Sequence, residues 1–402
     1  MRLISIIALT LIYGFTLLVS FLGGLLRSGS KGLNNKIIIN GTFHNPNWFN
    51  AHIVPIVESG FGEVILITDE VIYELDNLKY SCPPALLNKV LTRAGAKFVW
   101  TLKEAFKHKA SIHIGYHIFP SAVTALIAAR MTGARCCYQV TSGPLELEGG
   151  GYDAENRLLV GLGKPSRLVE HMAHSVVKRF DLVVVRGSKA EAYVRSAGYE
   201  SKIEVVTGSV ITDQTYACDE REIDVIFVGR LTEYKRPDIF FSLMKDLAEK
   251  VPEVKIKVVG DGPVSNELKQ YTEVNSLTSN IEFLGKRKDV LQLLGNSKVF
   301  VLTSRWEGVS IAMLEAMALG VVPVVVDVGD LSDYVKNDET GYIYDHNNVD
   351  KIPDKIRELL NNPNSLEQYS KNAKKYVADR CDRGVLSKRW RGIFNTMVEP
   401  AA

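Results

Sequence analysis

KVFVLTS at 298–304 runs directly into SRWEGVSIAMLEAMALG at 304–320 and then into VVPVVV at 321–326. The outer two are Val-rich runs of strand length. The middle one is a turn followed by a run of good helix formers, which Gly320 ends before Pro323. Two near-continuous apolar strands joined by a helix form a βαβ unit, whose strands lie parallel in a sheet covered on both faces. The pattern extends upstream through strands DVIFVGR at 224–230, VKIKVVG at 254–260 and IEFLG at 281–285. Pro237 opens one intervening helix, where Ile239, Phe240, Leu243, Met244 and Leu247 recur at three-to-four spacing.

Further upstream the pattern appears a second time, with IIIN at 37–40, EVILIT at 63–68, SIHIGY at 111–116, RCCYQV at 135–140 and DLVVVR at 181–186. The polar stretch ACDEREI at 217–223 separates the two sets, and 402 residues are too many for one compact sheet. The expectation is an α/β chain of two doubly wound, Rossmann-like domains facing a cleft, at 36–216 and 217–380, closed by a helical segment at 381–402.

Residues 3–26 carry no charge. As a helix they measure about 36 Å, against the roughly 30 Å of a bilayer core, so one N-terminal transmembrane helix is expected. A cleaved signal peptide is the competing reading, with Gly23-Gly24 and Ser28-Gly29-Ser30 as small residues near a cleavage site. Arg27, Lys31 and Lys36 follow the segment and Arg2 precedes it, which leans toward a single-pass anchor with the C-terminal body in the cytoplasm. Lys plus Arg number 48 against 46 Asp plus Glu, so charge makes no case for nucleic acid as a partner. Five cysteines without a C-x-x-C pair argue against a disulfide framework or structural zinc.

In open α/β sheets ligands bind beyond the carboxyl ends of the strands. Arg230 ends one strand, and Lys235 follows just before the Pro237 helix, where two cations and helix N–H groups can receive a phosphate or diphosphate. The alternative is a solvated basic turn. Glu307 and Glu315 are separated by about 12 Å of helix axis, too far to share a proton or a metal ion. They can accept hydrogen bonds from hydroxyls at two ends of an extended ligand, with the N–H groups of Gly308, Val309 and Ser310 between them. Gly260, Asp261 and Gly262 in GDGP let a ligand approach the main chain, although the third glycine of a dinucleotide fingerprint is missing. In the first domain Gly41 follows the first strand, where a glycine lets a substrate approach the main chain, and His117 ends the SIHIGYH strand on the cleft side or is a core histidine, while His113 reads as a satisfied core histidine. No D-x-D occurs, so no metal site and no cofactor are expected.

FVGRLTEYKRP, VVGDGP, FLGKRKDV, the E-x7-E run SRWEGVSIAMLEAMALG and VVPVVVDVGDLSDYVKNDETGYIY, in that order, resemble the family 4 retaining glycosyltransferases of the GT-B fold. The resemblance runs from about residue 36 to the C-terminus. It departs from the family at Thr212, often an aspartate there, and at the single glycine of the N-terminal loop. It implies a metal-independent enzyme whose co-substrate is a nucleotide-diphosphate sugar, UDP- or GDP-linked, held by the C-terminal domain. Arg230 and Lys235 would grip the diphosphate, Glu315 the ribose, and Glu307 with Gly308 to Ser310 the donor sugar. His117 would reach sugar or phosphate across the cleft. Retention is attributed to front-face attack, the leaving phosphate taking the acceptor proton, and the C-terminal helix would return to the first domain. Related alternatives are a nucleotide-sugar epimerase, a phosphorylase, or an inactive binding protein of the same fold.

Between Cys82 and Ala110 stand Lys89, Arg93, Lys97, Lys103, Lys107 and Lys109 against one acid, Glu104, interleaved with apolar residues such as Phe98 and Trp100. Such a segment suits an anionic membrane surface or a lipid-phosphate acceptor, and equally an ordinary pair of amphipathic helices with solvated lysines. With the N-terminal span, it favours a lipid-linked or cell-envelope polysaccharide acceptor.

Overall fold

A computed structural model describes residues 1–25, 33–153, 156–200, 202–212, 214–216, 218 and 220–399. The cationic flank Arg27 and Lys31 and the small residues 28–30 lie outside these. Two compact units emerge, Met1–Gly208 with Leu386–Ala402, and Ser209–Val385.

The first unit is built on seven strands: β1 Asn34–Asn40, β2 Glu63–Ile67, β3 Leu78–Ser81, β4 Ala110–Tyr116, β5 Arg135–Gln139, β6 Leu182–Val185 and β7 Lys202–Val205. All pair in parallel, in the order β3-β2-β1-β4-β5-β6-β7. The apolar runs read from sequence form the interior strands, buried on both faces: Ile37, Ile39, Ile112, Ile114 and Val184 belong to one core cluster, Tyr138, Val183 and Val185 to another. His113 is fully buried, but neither ring nitrogen has a partner among the described residues, so it is a core histidine and not a satisfied one. Burial pushes its pKa down to about 4, which keeps the ring neutral at physiological pH.

Four helices of this unit bear on function: α1 Arg2–Leu25, α2 Arg93–His108, α3 Val123–Thr132 and α4 Arg167–Val177. α1 is long and apolar enough to cross a membrane. One of its faces lies against α3 and α4, with Leu9 and Tyr13 fully buried and Thr16 and Ser20 beside them. The opposite face exposes Ile4, Ile7, Leu11, Phe15, Leu18 and Leu22.

The second unit has six strands, β8 Ile223–Val228, β9 Ile256–Val259, β10 Ile281–Gly285, β11 Ser297–Leu302, β12 Val322–Val326 and β13 Tyr342–Tyr344. They are again all parallel, in the order β10-β9-β8-β11-β12-β13. The Pro237 helix, α5 Pro237–Lys250, buries Phe240, Phe241, Leu243, Met244 and Leu247. α6, Ile311–Ala318, connects β11 to β12 and is capped by Ser310, whose hydroxyl accepts from the Met313 N–H at 3.3 Å. The chain then returns to the first unit through α7, Arg383–Val398, whose Leu386, Trp390, Ile393 and Phe394 join the core containing Ile37 and Ile114.

Candidate functional site

In the second sheet the strand order reverses between β8 and β11, which makes their carboxyl ends the switch point where an open α/β sheet takes its ligand. Arg230 follows β8, and Ser304 to Ser310 follow β11. Two backbone-directed bonds hold these loops together: the Arg305 N–H donates to the Tyr234 carbonyl at 2.8 Å and the Thr303 hydroxyl to the Arg236 carbonyl at 2.9 Å. The Arg230 side chain is exposed and has no ion-pair or hydrogen-bond partner among the described residues, while its carbonyl accepts from the Thr232 N–H at 3.0 Å. Lys235 instead pairs with Glu307, whose Oε1 also accepts from the Ser304 hydroxyl at 2.7 Å. The two residues expected to grip diphosphate and sugar separately are therefore brought together, with the Lys235 ammonium fixed in place by a carboxylate.

Glu315 lies in α6, half-buried and with no side-chain partner among the described residues. Burial alone pushes its carboxyl up to about 7. Such a carboxylate is costly unless donors reach it, and sugar or ribose hydroxyls are donors. Asp261 is directed inward to its own loop, accepting from the Ser265 hydroxyl at 2.7 Å and the Gly262 N–H at 2.8 Å. Gly260, at φ +133°, would bring a Cβ within 1.8 Å of the Gly229 carbonyl, so the GDGP loop and the loop before Arg230 are packed main chain to main chain. Gly329, at φ +54°, would likewise place a Cβ 1.8 Å from the Glu307 carbonyl. Sequence reasoning missed Trp306, whose indole N–H is buried beside Glu307 with no acceptor among the described residues.

In the first unit His117 caps β4 at φ +61° with its side chain half exposed. Its Nδ1 lies 2.6 Å from the Thr141 hydroxyl and 3.3 Å from the Glu146 carboxylate. Glu146 is buried and accepts further bonds from the Tyr138 hydroxyl at 2.8 Å, the Thr141 N–H at 2.6 Å and the Ser142 N–H at 2.8 Å. Burial would raise its pKa, but the His117 charge and these donors hold it down at about 2. No motif marks Glu146, because its partners come from β5 and two separate turns. Gly41 sits at the end of β1 with the Phe43 ring over it: a Cβ there would lie 2.4 Å from that ring, so the space beside it is filled from within the chain.

The fold, two α/β units each on a parallel sheet, is GT-B-like. Residues 212–376 match the family model of glycosyl transferases group 1. Over 285 residues the chain is 24% identical to N-acetyl-alpha-D-glucosaminyl L-malate synthase of Bacillus anthracis, covering 70% of this chain and 74% of that one. It is 35% identical over 128 residues to the UDP-Gal:alpha-D-GlcNAc-diphosphoundecaprenol alpha-1,3-galactosyltransferase of Escherichia coli, 31% of this chain and 33% of that enzyme. Of two other glycosyltransferases among its relatives the chain spans 34% and 48% of the length. The solved structure of Anabaena Alr3699/HepE in complex with UDP superposes with a TM-score of 0.70 at 14% identity, over 90% of this chain and 99% of that one. The family model and the named relatives support a transferase.

Proposed function

We propose that the chain is a retaining, metal-independent glycosyltransferase of family 4 that moves a sugar from a UDP- or GDP-linked donor to a lipid-linked or cell-envelope glycan acceptor. The observation that carries this is the gathering of Arg230, the Lys235–Glu307 pair and the partner-free Glu315 around one sheet switch point. When the sugar–phosphate bond breaks, negative charge builds on the leaving diphosphate, and fixed cations there are worth most. Arg230 has no competing carboxylate. Lys235 keeps ammonium protons for a phosphate while Glu307 holds it in position. Glu315 takes the ribose hydroxyls, and Gly308 to Ser310 with Glu307 hold the donor sugar. The acceptor hydroxyl bonds to the anomeric carbon on the face from which the diphosphate departs, and the departing phosphate oxygen takes the acceptor proton, so no protein base is required. The absence of any D-x-D is the reason for assigning charge neutralisation to side chains. In the first unit the resemblance assigns His117 to sugar or phosphate, while the Phe43 ring fills the space expected beside Gly41 for a substrate. The apolar helix α1 and the diphosphoundecaprenol acceptor named for one relative support a membrane setting, and the cytoplasmic side is assigned from the cationic flank Arg27, Lys31 and Lys36 of the sequence.

A thermal-shift series with UDP, GDP and ADP in the presence of EDTA tests this. A ligand at 100-fold excess over its Kd stabilises the native state by about 2.7 kcal/mol, a shift of roughly 5–10 °C for a unit of this size. A shift by UDP or GDP that survives EDTA is the expected result. No shift by any nucleotide, or one that requires a divalent ion, removes the reading.

A further inference from the structure

The first unit contains a cavity of about 1210 Å³, larger than the ~300–1,000 Å³ of most small-molecule sites. It opens at that unit's own switch point: Thr42 follows β1, Phe119 to Thr124 follow β4, and the strand order reverses between these two neighbours. Leu11, Ile12 and Phe15 of α1 form one wall, and Phe98 of α2 with Ile127 of α3 form the other. Thr42, Thr92, Arg93 and Lys97 give the lining a polar stretch after β1 and at the start of α2, and Ser121, Thr124 and Asn156 add uncharged polar groups. Two of these are cations, and no carboxylate lines the space. Asp69, which pairs with both Arg93 and Lys97, stays outside the lining. Lys97 is buried and fixed, its ammonium 3.0 Å from both the Gly41 carbonyl and the Thr42 hydroxyl, whereas Arg93 is half exposed. The first turn of α2 carries no acidic side chain, and of its leading N–H groups that of Gly95 is capped, by the Thr92 hydroxyl at 3.2 Å.

The occupant follows from continuity with α1. Leu11 and Phe15 belong both to the cavity wall and to the outward apolar stripe Ile4, Ile7, Leu11, Phe15, Leu18 and Leu22. Through these two shared side chains the cavity wall continues onto an exposed apolar surface, which a hydrocarbon chain can follow. We propose that this cavity binds a lipid phosphate, with its chain between α1 and α2 and its anionic head at the Thr92–Lys97 turn. The assignment rests on the reading of the chain as a transferase to a lipid-linked acceptor, and it names where that acceptor's lipid lies.

The test is calorimetric titration of the full chain with dodecyl phosphate, decyl phosphate, inorganic phosphate and dodecanol, each below its aggregation limit. Each buried methylene is worth about fourfold in affinity, so dodecyl should exceed decyl phosphate by about 15-fold. Dodecanol and inorganic phosphate should each bind at least tenfold more weakly than dodecyl phosphate. Gly95→Leu fills the lining from a helical position where a Cβ meets nothing closer than 3.4 Å, and Leu is the better helix former, so this variant folds. It should lose dodecyl phosphate at least tenfold. Arg93→Gln should weaken dodecyl phosphate about tenfold and leave dodecanol unchanged. Equal binding by wild type and Gly95→Leu, or equal binding of dodecanol and dodecyl phosphate, overturns the proposal. The thermal shift by UDP or GDP is read alongside: absence of both in wild type sinks the transferase reading and leaves the lipid result standing, while a normal shift with no lipid phosphate binding sinks this site alone.

Discussion

Glu315 and Arg230 share a site and fail differently when changed. Between the ordinary carboxylate pKa of 4.5 and about 7, the folded chain keeps a proton on Glu315 that the unfolded chain has released. Stability contributed through this group therefore falls as pH rises through that window, by up to a few kcal/mol. Glu315→Gln removes the dependence: thermal denaturation should find the variant more stable than wild type near pH 8 and equal to it near pH 4. Bound UDP, whose hydroxyls donate to the ionised carboxylate, should flatten the wild-type slope. An identical pH slope in variant and wild type would remove the burial argument. Arg230 is exposed and partner-free, so Arg230→Ala should move stability by no more than about 0.5 kcal/mol. Losing a charge at the leaving phosphate should still lower turnover by about 10² to 10³. Turnover measured beside the melting temperature separates the two effects, and near-wild-type turnover would take Arg230 out of the phosphate site.

At the scale of elements, the turn carrying Glu307 and Gly308 is held from outside by the loop after β12, where the Asp330 N–H donates to the Gly308 carbonyl at 3.0 Å and Gly329 lies against Glu307. Gly329→Ala combines an unfavourable φ with a main-chain collision, so the turn must shift and carry the Lys235 partner with it. UDP affinity should fall at least tenfold by calorimetry while the far-UV spectrum stays unchanged; unchanged affinity would show that the turn does not place the ligand. Sequence made the interior strands legible because burial on both faces demands unbroken Val and Ile runs, as in LVVV of β6. β3, β7 and β13 escaped it. All three are sheet edges of three or four residues, with LKYS, KIEV and YIY mixing polar and apolar positions because one side is unpaired. The same logic divides the site. Arg230, Glu307 and Glu315 stand at fixed offsets from the ends of β8 and β11 and the start of α6, whereas the Glu146 network assembles from residues with no shared spacing.

At the scale of the whole molecule, both ends of the chain lie in the first unit, and each end supplies core. Trp390 and Phe394 of α7 stack at 5.1 Å within the cluster built on Ile37 and Ile114, so Trp390→Ala should cost that unit roughly 3–5 kcal/mol. The N-terminal end makes a sharper demand. A helix that served only as a tether would be dispensable to folding, but Leu9 and Tyr13 of α1 are fully buried with Leu126 and Val176. Deleting residues 1–30 therefore uncovers a strip of α3 and α4 as well as removing the apolar outer stripe. Two buried side chains of this kind are worth roughly 3–6 kcal/mol of apolar burial, a large part of a domain's margin. Hydrogen exchange followed by mass spectrometry should show α3 and α4 losing protection in the deleted protein while α5 and α6, in a unit with its own core, keep theirs. Unchanged protection in α3 and α4 would mean that α1 is a tether after all, and that the lipid cavity it walls does not persist in solution.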